Sequence, residues 1–379
     1  MILFLGIVAV AASIPRFGSR ENEQLAKSDS DYYLDMAEYF SGGQERPDPR
    51  YVDPGNPRSH HYIRVFFPFL AGHLGHELLG DDYRTAFSLL NVLAAWLIAL
   101  LLYQLVATRR PDFDHPWVPG LLFLVSFPQM NWGYHVLTDT MGYATTLAAT
   151  LAAVHLVDIH QADPPASFRT KALWLGLVVI LQSLAFLTRQ TAWITVVAVA
   201  FVLVFRGTWR VSPRFALGLM AALILAKVPH SLYVHWYHLE GLGIPLRPAT
   251  ILDPWYVVDT LVKSGFAFHL AWIPALLVLM RKGFHRVPDV VLGWSLGALF
   301  YMGAGYLLNS HEMIGYPLRL TFALFPLVLL LVATFFERFD RSRLALPAFC
   351  VAYAAIGLLG VHLDPARGGI RVFDLLSAI

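Results

Sequence analysis

The sequence predicts an all-α, polytopic membrane protein, and two observations lead to this fold class. Of the 379 residues, 57% are hydrophobic and only 14% are charged. The apolar runs are long and rich in leucine, alanine and valine, whereas barrel strands alternate in units of about ten residues. In lipid only helices or closed barrels satisfy the backbone. We therefore expect one transmembrane helical domain over residues 1–379 rather than several soluble domains.

We predict about eleven spanning helices, because a span needs roughly 20 mostly apolar residues. The first, residues 1–15, has the apolar core of a signal peptide but no basic residues before it and no cleavage motif leading into a soluble domain. We expect it to be a short, retained first span. The other predicted spans are residues 85–107, 117–131, 139–158, 172–188, 191–205, 215–236, 266–280, 288–308, 319–336 and 344–362.

The basic residues of the short loops predict the orientation in the membrane, since cytoplasmic loops carry an excess of Lys and Arg. Thirteen cations fall on one side, namely Arg109, Arg110, Arg169, Lys171, Arg206, Arg210, Arg214, Arg281, Lys282, Arg286, Arg338, Arg341 and Arg343. The opposite short connections carry only Arg189, Arg247, Lys263 and Arg319. The first side is therefore predicted to be cytoplasmic, and we expect an integral protein of a bacterial inner (plasma) membrane.

Two outer loops are expected, at residues 16–84 and 237–265. The first should contain two juxtamembrane helices, from about 31 to 41 and from about 61 to 79. The second of these is apolar but is interrupted by His73, His76 and Glu77, so we expect it to lie in the interface rather than to span.

The first of these two helices lies in an acidic stretch, residues 28–39. Asp29, Asp31, Asp35 and Glu38 fall within twelve positions of a chain that has few charges. Acidic groups at the membrane face are costly, so such a cluster is by default a functional-site hypothesis. The alternative is a capped, solvated helix with Asp29 or Asp31 as its N-cap.

Several other polar residues fall on the same outer boundary. Arg189 lies between two apolar runs that leave almost no loop, so it must pair with an anion or reach headgroup water. Asp139 could be a site carboxylate or simply a helix cap, and Arg319 could bind phosphate or reach the headgroups. The remaining candidates on this boundary are His60, His61, Arg64, Asn131, His135, Arg247, Asn309, His311 and Glu312.

The histidines do not form a strong metal motif. His60 and His61 are adjacent, and His73 and His76 lack the matching carboxylate spacing of a metal-binding helix. We expect no cofactor, with a divalent metal left open, and no nucleic-acid partner.

The first outer loop resembles that of GT-C fold glycosyltransferases. In many members this loop carries Asp-x-x-x-Tyr-x-x-x-Ala followed by Arg-x-x-x-Pro. Here Asp29, Tyr33 and Ala37 match the first motif, and Arg64 with Pro68 matches the second. Thr138-Asp139, the segment 188–191, and Arg319 with Pro326 also resemble recurring pieces of that family. The chain departs from better-known members in having no Asp-Glu pair in this loop and no large terminal soluble domain.

The resemblance implies a polyprenyl-phosphate sugar as donor, a glycan, lipid or protein as acceptor, and a site on the extracytoplasmic face. Asp29, or alternatively Asp31, would be the catalytic base. Arg64, Arg189 and Arg319 would hold the departing phosphate. Further binding candidates are Tyr33, His61, His135, Asp139 and His311.

Two alternatives stay open. A transporter or flippase of a lipid-linked substrate would place ionisable residues near the bilayer midplane and contain an inverted repeat. A noncatalytic membrane subunit of a larger complex would use the same architecture without chemistry.

Overall fold

The computed structural model describes most of the hydrophobic segments and part of the first outer loop. The described residues are 1–17, 29–44, 62–134, 136–164, 166–205, 211–237, 258, 262, 264–281, 287–308, 320–339 and 344–363. They form helices and connecting turns, and no β-strand occurs among them. This agrees with the predicted all-α class. The predicted second outer loop lies almost wholly outside the described residues.

The α-helices are numbered along the chain. They are α1 (Ile2–Phe17), α2 (Asp29–Phe40), α3 (Phe66–Leu79), α4 (Tyr83–Arg109), α5 (Val118–Leu124), α6 (Asp139–Gln161), α7 (Phe168–Thr188), α8 (Trp193–Phe205), α9 (Pro213–Leu225), α10 (Val228–Trp236), α11 (Trp272–Met280), α12 (Asp289–Leu308), α13 (Phe325–Phe339) and α14 (Ala345–Leu363). Short 3₁₀ turns at Gln190–Ala192, His269–Ala271 and Phe322–Leu324 precede α8, α11 and α13.

Four helical segments of the described chain are long and apolar enough to cross a membrane. They are Tyr83–Arg109, Asp139–Gln161, Phe168–Thr188 and Pro213–Trp236. Shorter apolar helices accompany them at Ile2–Ile14, Gln190–Phe205, His269–Met280, Asp289–Ala304, Phe322–Glu337 and Ala345–Leu359. By length and composition the helices are consistent with an all-α membrane protein, while the count of about eleven spans stays a prediction.

The segment predicted as a span at 117–131 is divided. Helix α5 ends at Leu124, and a π-helical turn, Gln129–Gly133, follows after a short break. Pro128 has no N–H to donate to the carbonyl of Leu124, so the α-helical ladder cannot continue through this point. The break turns the chain toward the start of α6.

Helix α6 is the most enclosed of the long helices, and α7 is among the most exposed. Of the most apolar window of each helix, 78% is buried in α6 and 22% in α7. In a membrane protein, the apolar side of a helix that no other helix covers faces lipid. Residues near the start of α6 therefore lie inside the helix bundle.

A row of buried threonines joins α6 to α8 and to the turn before it. The Oγ1 atoms of Thr146 and Thr191 are 3.1 Å apart, and those of Thr150 and Thr195 are 2.9 Å apart. Thr195 also donates to the Thr146 backbone carbonyl at 3.1 Å. Hydroxyl groups that hydrogen-bond across helices are a common means of association in membranes.

Small residues let α12 approach α8 closely. A Cβ added at Gly293 would lie 2.6 Å from the Ala198 carbonyl oxygen, and one added at Gly297 would lie 2.8 Å from the Ile194 carbonyl oxygen. The two glycines are four residues apart and so lie on one helix face. This packing holds α12 against the start of α8.

The two helices of the first outer loop pack on each other and on α4. A Cβ at Gly72 of α3 would lie 2.3 Å from the Ala37 carbonyl oxygen of α2. Tyr33, Phe67 and Phe87 form part of the shared apolar cluster. This packing fixes α2 against the helix bundle.

Candidate functional site

Arg189 lies at the end of α7 and is buried. Its backbone leaves the helix in an extended conformation, and the 3₁₀ turn then leads directly into α8. Its side chain is only 4% exposed. Of the two expected alternatives, pairing with an anion or reaching headgroup water, the buried side chain takes the first.

Within the described part of the chain, the Arg189 guanidinium contacts the side chains of Asp139, Thr138 and Tyr301. Its Nη2 lies 3.1 Å from Oδ1 of Asp139, its Nη1 donates to Oγ1 of Thr138 at 3.2 Å, and its Nε donates to the Tyr301 hydroxyl at 3.5 Å. Gly142, one turn into α6, makes the approach possible, because a Cβ there would lie 3.0 Å from Cβ of Arg189. The group joins the ends of α6 and α7 to α12.

The first outer loop reaches the same group of side chains. Arg64 and Tyr33 are both buried, and Nη1 of Arg64 donates to the Tyr33 hydroxyl at 2.6 Å. That hydroxyl lies 3.4 Å from Oγ1 of Thr138. The two guanidiniums are therefore linked through one phenol and one threonine hydroxyl.

The loop is held in place by a contact next to Tyr33. The buried Ser30 hydroxyl donates to the Val136 backbone carbonyl at 3.2 Å. Val136 belongs to the turn that leads into α6, so α2 is docked on the segment that carries Thr138 and Asp139. We call the set Tyr33, Arg64, Thr138, Asp139 and Arg189 the arginine site.

Asp139 is the first residue of α6, and Thr138 is its N-cap residue. The Asp139 carboxylate pairs with Arg189 at the positive end of the helix dipole, so it does more than cap the helix. Its 9% exposure shows that the pair is removed from water. A buried pair of this kind holds both side chains in one geometry.

The two predicted base candidates lie in the first turn of α2. Asp29 is the first helical residue, one turn before Tyr33. Asp31 is half-buried and, at two positions before Tyr33, is about 200° around the helix from it. Helical register therefore favours position 29 over position 31 as the neighbour of the arginine site.

Sequence reasoning missed two contributors to this part of the structure. Tyr301 is embedded in an apolar span, and no local pattern distinguishes it from a core aromatic. Asp35 belongs to the acidic stretch, where its carboxylate accepts hydrogen bonds from the Tyr62 hydroxyl and from Nε2 of Gln44, the latter at 2.9 Å. In the sequence, Asp35 lies one helical turn after Asp31, and this spacing is the signal that could have identified it.

Other predicted site residues lie outside the described part of the chain. They are His61, His135, His311 and Arg319, together with His60, Arg247, Asn309 and Glu312. Their roles stay predictions.

No group of three or more His, Cys, Asp or Glu side chains that could hold a metal occurs among the described residues. Asp139 pairs with an arginine. The arginine site, with two guanidiniums, is suited to an anion and not to a cation.

No family model, curated protein or solved structure matches the chain. Function is therefore inferred from the residues and their geometry.

Proposed function

We propose that the chain is an integral membrane glycosyltransferase that moves a sugar from a polyprenyl-phosphate donor to an extracytoplasmic acceptor, with inversion at the sugar. One observation carries the proposal. Arg64 of the first outer loop and Arg189 from the end of a distant helix are joined within one hydrogen-bonded group. Guanidiniums are suited to holding the oxygens of a phosphate.

The chemistry requires few groups. A carboxylate, Asp29 or Asp31, takes the proton of an acceptor hydroxyl as its oxygen attacks the anomeric carbon. The bond from that carbon to the phosphate oxygen breaks, and the lipid phosphate leaves with the electron pair. Arg64 and Arg189 stabilise the charge that develops on it. One displacement inverts the sugar, because no nucleophilic carboxylate intervenes.

The surroundings of the arginine site fit an amphiphilic substrate. Trp193, four residues after Arg189, is 40% exposed, and Nζ of Lys227 lies 5.6 Å from its ring centroid. Leu225 and Leu232, on either side of Lys227, are also exposed. A cation set in an exposed apolar surface and in contact with Trp193 supports approach of an anionic lipid from the bilayer.

The experiment is to substitute Asp29→Asn and Asp31→Asn separately and to measure sugar transfer from a lipid-phosphate donor in reconstituted vesicles. We expect one of the two variants to lose about 10²- to 10⁴-fold in rate. Asp114→Asn is the matched control, since Asp114 is exposed near the opposite ends of the helices. Full activity in both Asp29 and Asp31 variants would refute the assignment.

A noncatalytic membrane subunit is the second candidate, and one observation favours it. Arg189 already has three protein partners, as an arginine with a purely structural role would. This alternative would be supported if the chain purified with another protein in a constant ratio and if the Asp29→Asn variant left the amount of glycan unchanged. The transporter alternative has less support, because the arginine site is at helix ends rather than at mid-helix.

A further inference from the structure

A second group of polar side chains lies where the turn before α11 meets α14. His269 is in the 3₁₀ turn before α11, and Tyr353 is in the middle of α14. Their rings stack with centroids 4.2 Å apart and an interplanar angle of 29°. Tyr353 is 0% exposed.

The hydrogen-bonding atoms of this group have no protein partner in the described part of the chain. Both ring nitrogens of His269, the Tyr353 hydroxyl and Nε1 of Trp272 are buried without one. Buried polar side chains are partnered in the large majority of cases, and an unpartnered one carries the full cost of its lost hydration. Three such residues, two of them in ring contact and the third within one helical turn of His269, require an explanation.

The backbone of His269 also has an unusual conformation. Its φ is +29°, in a region that non-glycine residues adopt uncommonly. The fold thus holds this imidazole in a conformation that costs energy, although the ring gains no protein hydrogen bond there.

The surroundings restrict the chemistry of a ligand. Phe266 lies 5.9 Å from the His269 ring, and Phe349 lies 6.0 Å from the Tyr353 ring. These contacts are aromatic and uncharged, so a charged ligand would be poorly compensated. A neutral imidazole and a phenol each offer a donor and an acceptor, while an indole offers a donor. A hydroxyl group, which also donates and accepts, is the best complement to this set.

We propose that His269, Trp272 and Tyr353 form a second binding site, for a neutral hydroxyl-bearing group such as a sugar or a glycerol headgroup. Mostly apolar and aromatic walls with a few convergent polar groups are typical of ligand sites. This site is independent of the glycosyltransferase proposal, since it would bind such a group whether or not the arginine site is catalytic.

The second site and the arginine site are connected through the π-helical turn. A Cβ at Gly357, one turn beyond Tyr353, would lie 2.5 Å from Met130 Cε. On the other side of that turn, the Thr140 hydroxyl donates to Oε1 of Gln129 at 3.2 Å. Helix α14, which carries Tyr353, therefore packs against the same turn that supports the start of α6.

The test uses the full chain in phosphatidylcholine nanodiscs, whose lipid has no hydroxyl group. Octyl glucoside, octylglycerol and the hydroxyl-free octyl dimethylphosphine oxide are added separately, and the unfolding midpoint is measured. For wild type we expect the glucoside or the glycerol ether to raise the midpoint by about 5 °C relative to the phosphine oxide. A response to the glucoside alone identifies a sugar site, and a response to the glycerol ether alone identifies a glycerol headgroup site.

Tyr353→Phe and His269→Phe should lose this rise, whereas Tyr103→Phe on α4 should keep it. Without additive, Tyr353→Phe should be at least as stable as wild type, because it removes a hydroxyl that has no partner. If His269→Phe fails to fold, Tyr353→Phe alone decides. Equal midpoints with all three additives in wild type, an unchanged rise in Tyr353→Phe, or a lower midpoint of Tyr353→Phe without additive would each overturn the proposal.

Discussion

Arg189 and Asp139 are buried together, and a buried ion pair is stable only when both charges are well compensated. Here the guanidinium also donates to Thr138 and Tyr301, so several of its N–H groups have acceptors. Removing one member of such a pair leaves the other charge uncompensated. The pair therefore holds the ends of α6 and α7 in register, whatever its chemical role.

We predict that Arg189→Gln or Asp139→Asn alone lowers the free energy of unfolding by about 3–5 kcal/mol, and that the double variant loses less than the sum. The measurement is denaturant unfolding in detergent micelles, analysed as a double-mutant cycle. The control is Arg109→Gln, whose ion pair with Asp158 is about a quarter exposed and should contribute much less. Additive effects at 139 and 189 would contradict the role given to the pair.

At the scale of helices, glycines determine which pairs of helices approach each other closely. On α12, Gly293 and Gly297 face backbone carbonyls of α8, whereas a Cβ at Gly303 would have no neighbour within 4 Å. The same helix thus carries two glycines that pack against α8 and one that does not. In the predicted first outer loop, Gly72 allows α3 to lie against the backbone of α2.

We expect Gly297→Ala to lower the free energy of unfolding by about 1–3 kcal/mol, because the added methyl forces α12 away from α8. Gly303→Ala is the control within the same helix and should be neutral or slightly stabilising. The measurement is the thermal unfolding midpoint of both variants in the same detergent. Equal midpoints for the two would show that α8 and α12 are not in close contact.

Gly72→Ala should act on activity as well as on stability. The methyl would displace α2 from α3, and α2 carries Tyr33 of the arginine site. We expect at least a 10-fold loss of transfer rate under the proposed function, together with a lower unfolding midpoint. Gly176→Ala on the exposed face of α7 should change neither, since a Cβ there meets nothing within 4 Å. A wild-type transfer rate in Gly72→Ala would show that the packing of α2 on α3 does not affect the arginine site.

For the whole molecule, the distribution of basic loops predicts which side faces out. In a Cys350→Ala background, we expect an impermeant maleimide to label Glu77→Cys on intact cells but to label Asp114→Cys only after permeabilisation. Both positions are exposed, so access across the membrane is the only difference. The reverse pattern would place the arginine site on the cytoplasmic face and rule out an extracytoplasmic acceptor.

The class of the fold could be predicted from the sequence because long apolar runs leave few alternatives. The predicted spans 85–107 and 172–188 fall within α4 and α7, differing from them by at most four residues at either end. The division of 117–131 was missed because the run was judged by its mostly apolar composition, although Pro128 and the polar residues Ser126 and Gln129 mark the point. For Arg189 the missing loop left two alternatives, pairing with an anion or reaching headgroup water, and the structure shows the pairing. The choice of Asp139 as partner depends on tertiary packing that no local pattern encodes. The role of Tyr301 could not be predicted for the same reason.

The threonine row between α6 and α8 has a consequence for where the guanidinium sits in the bilayer. Thr191 and Thr195 are spaced by one turn and meet Thr146 and Thr150, which have the same spacing. A shift of one residue would place Ile194 or Val196 in the position of Thr195, opposite Thr150, and Gln190 or Ala192 in the position of Thr191, opposite Thr146. The hydroxyl pairs therefore favour one height of this segment. Arg189 is attached to the top of that helix, and its depth relative to the headgroups is thereby set by hydroxyl pairs that lie further into the hydrocarbon layer.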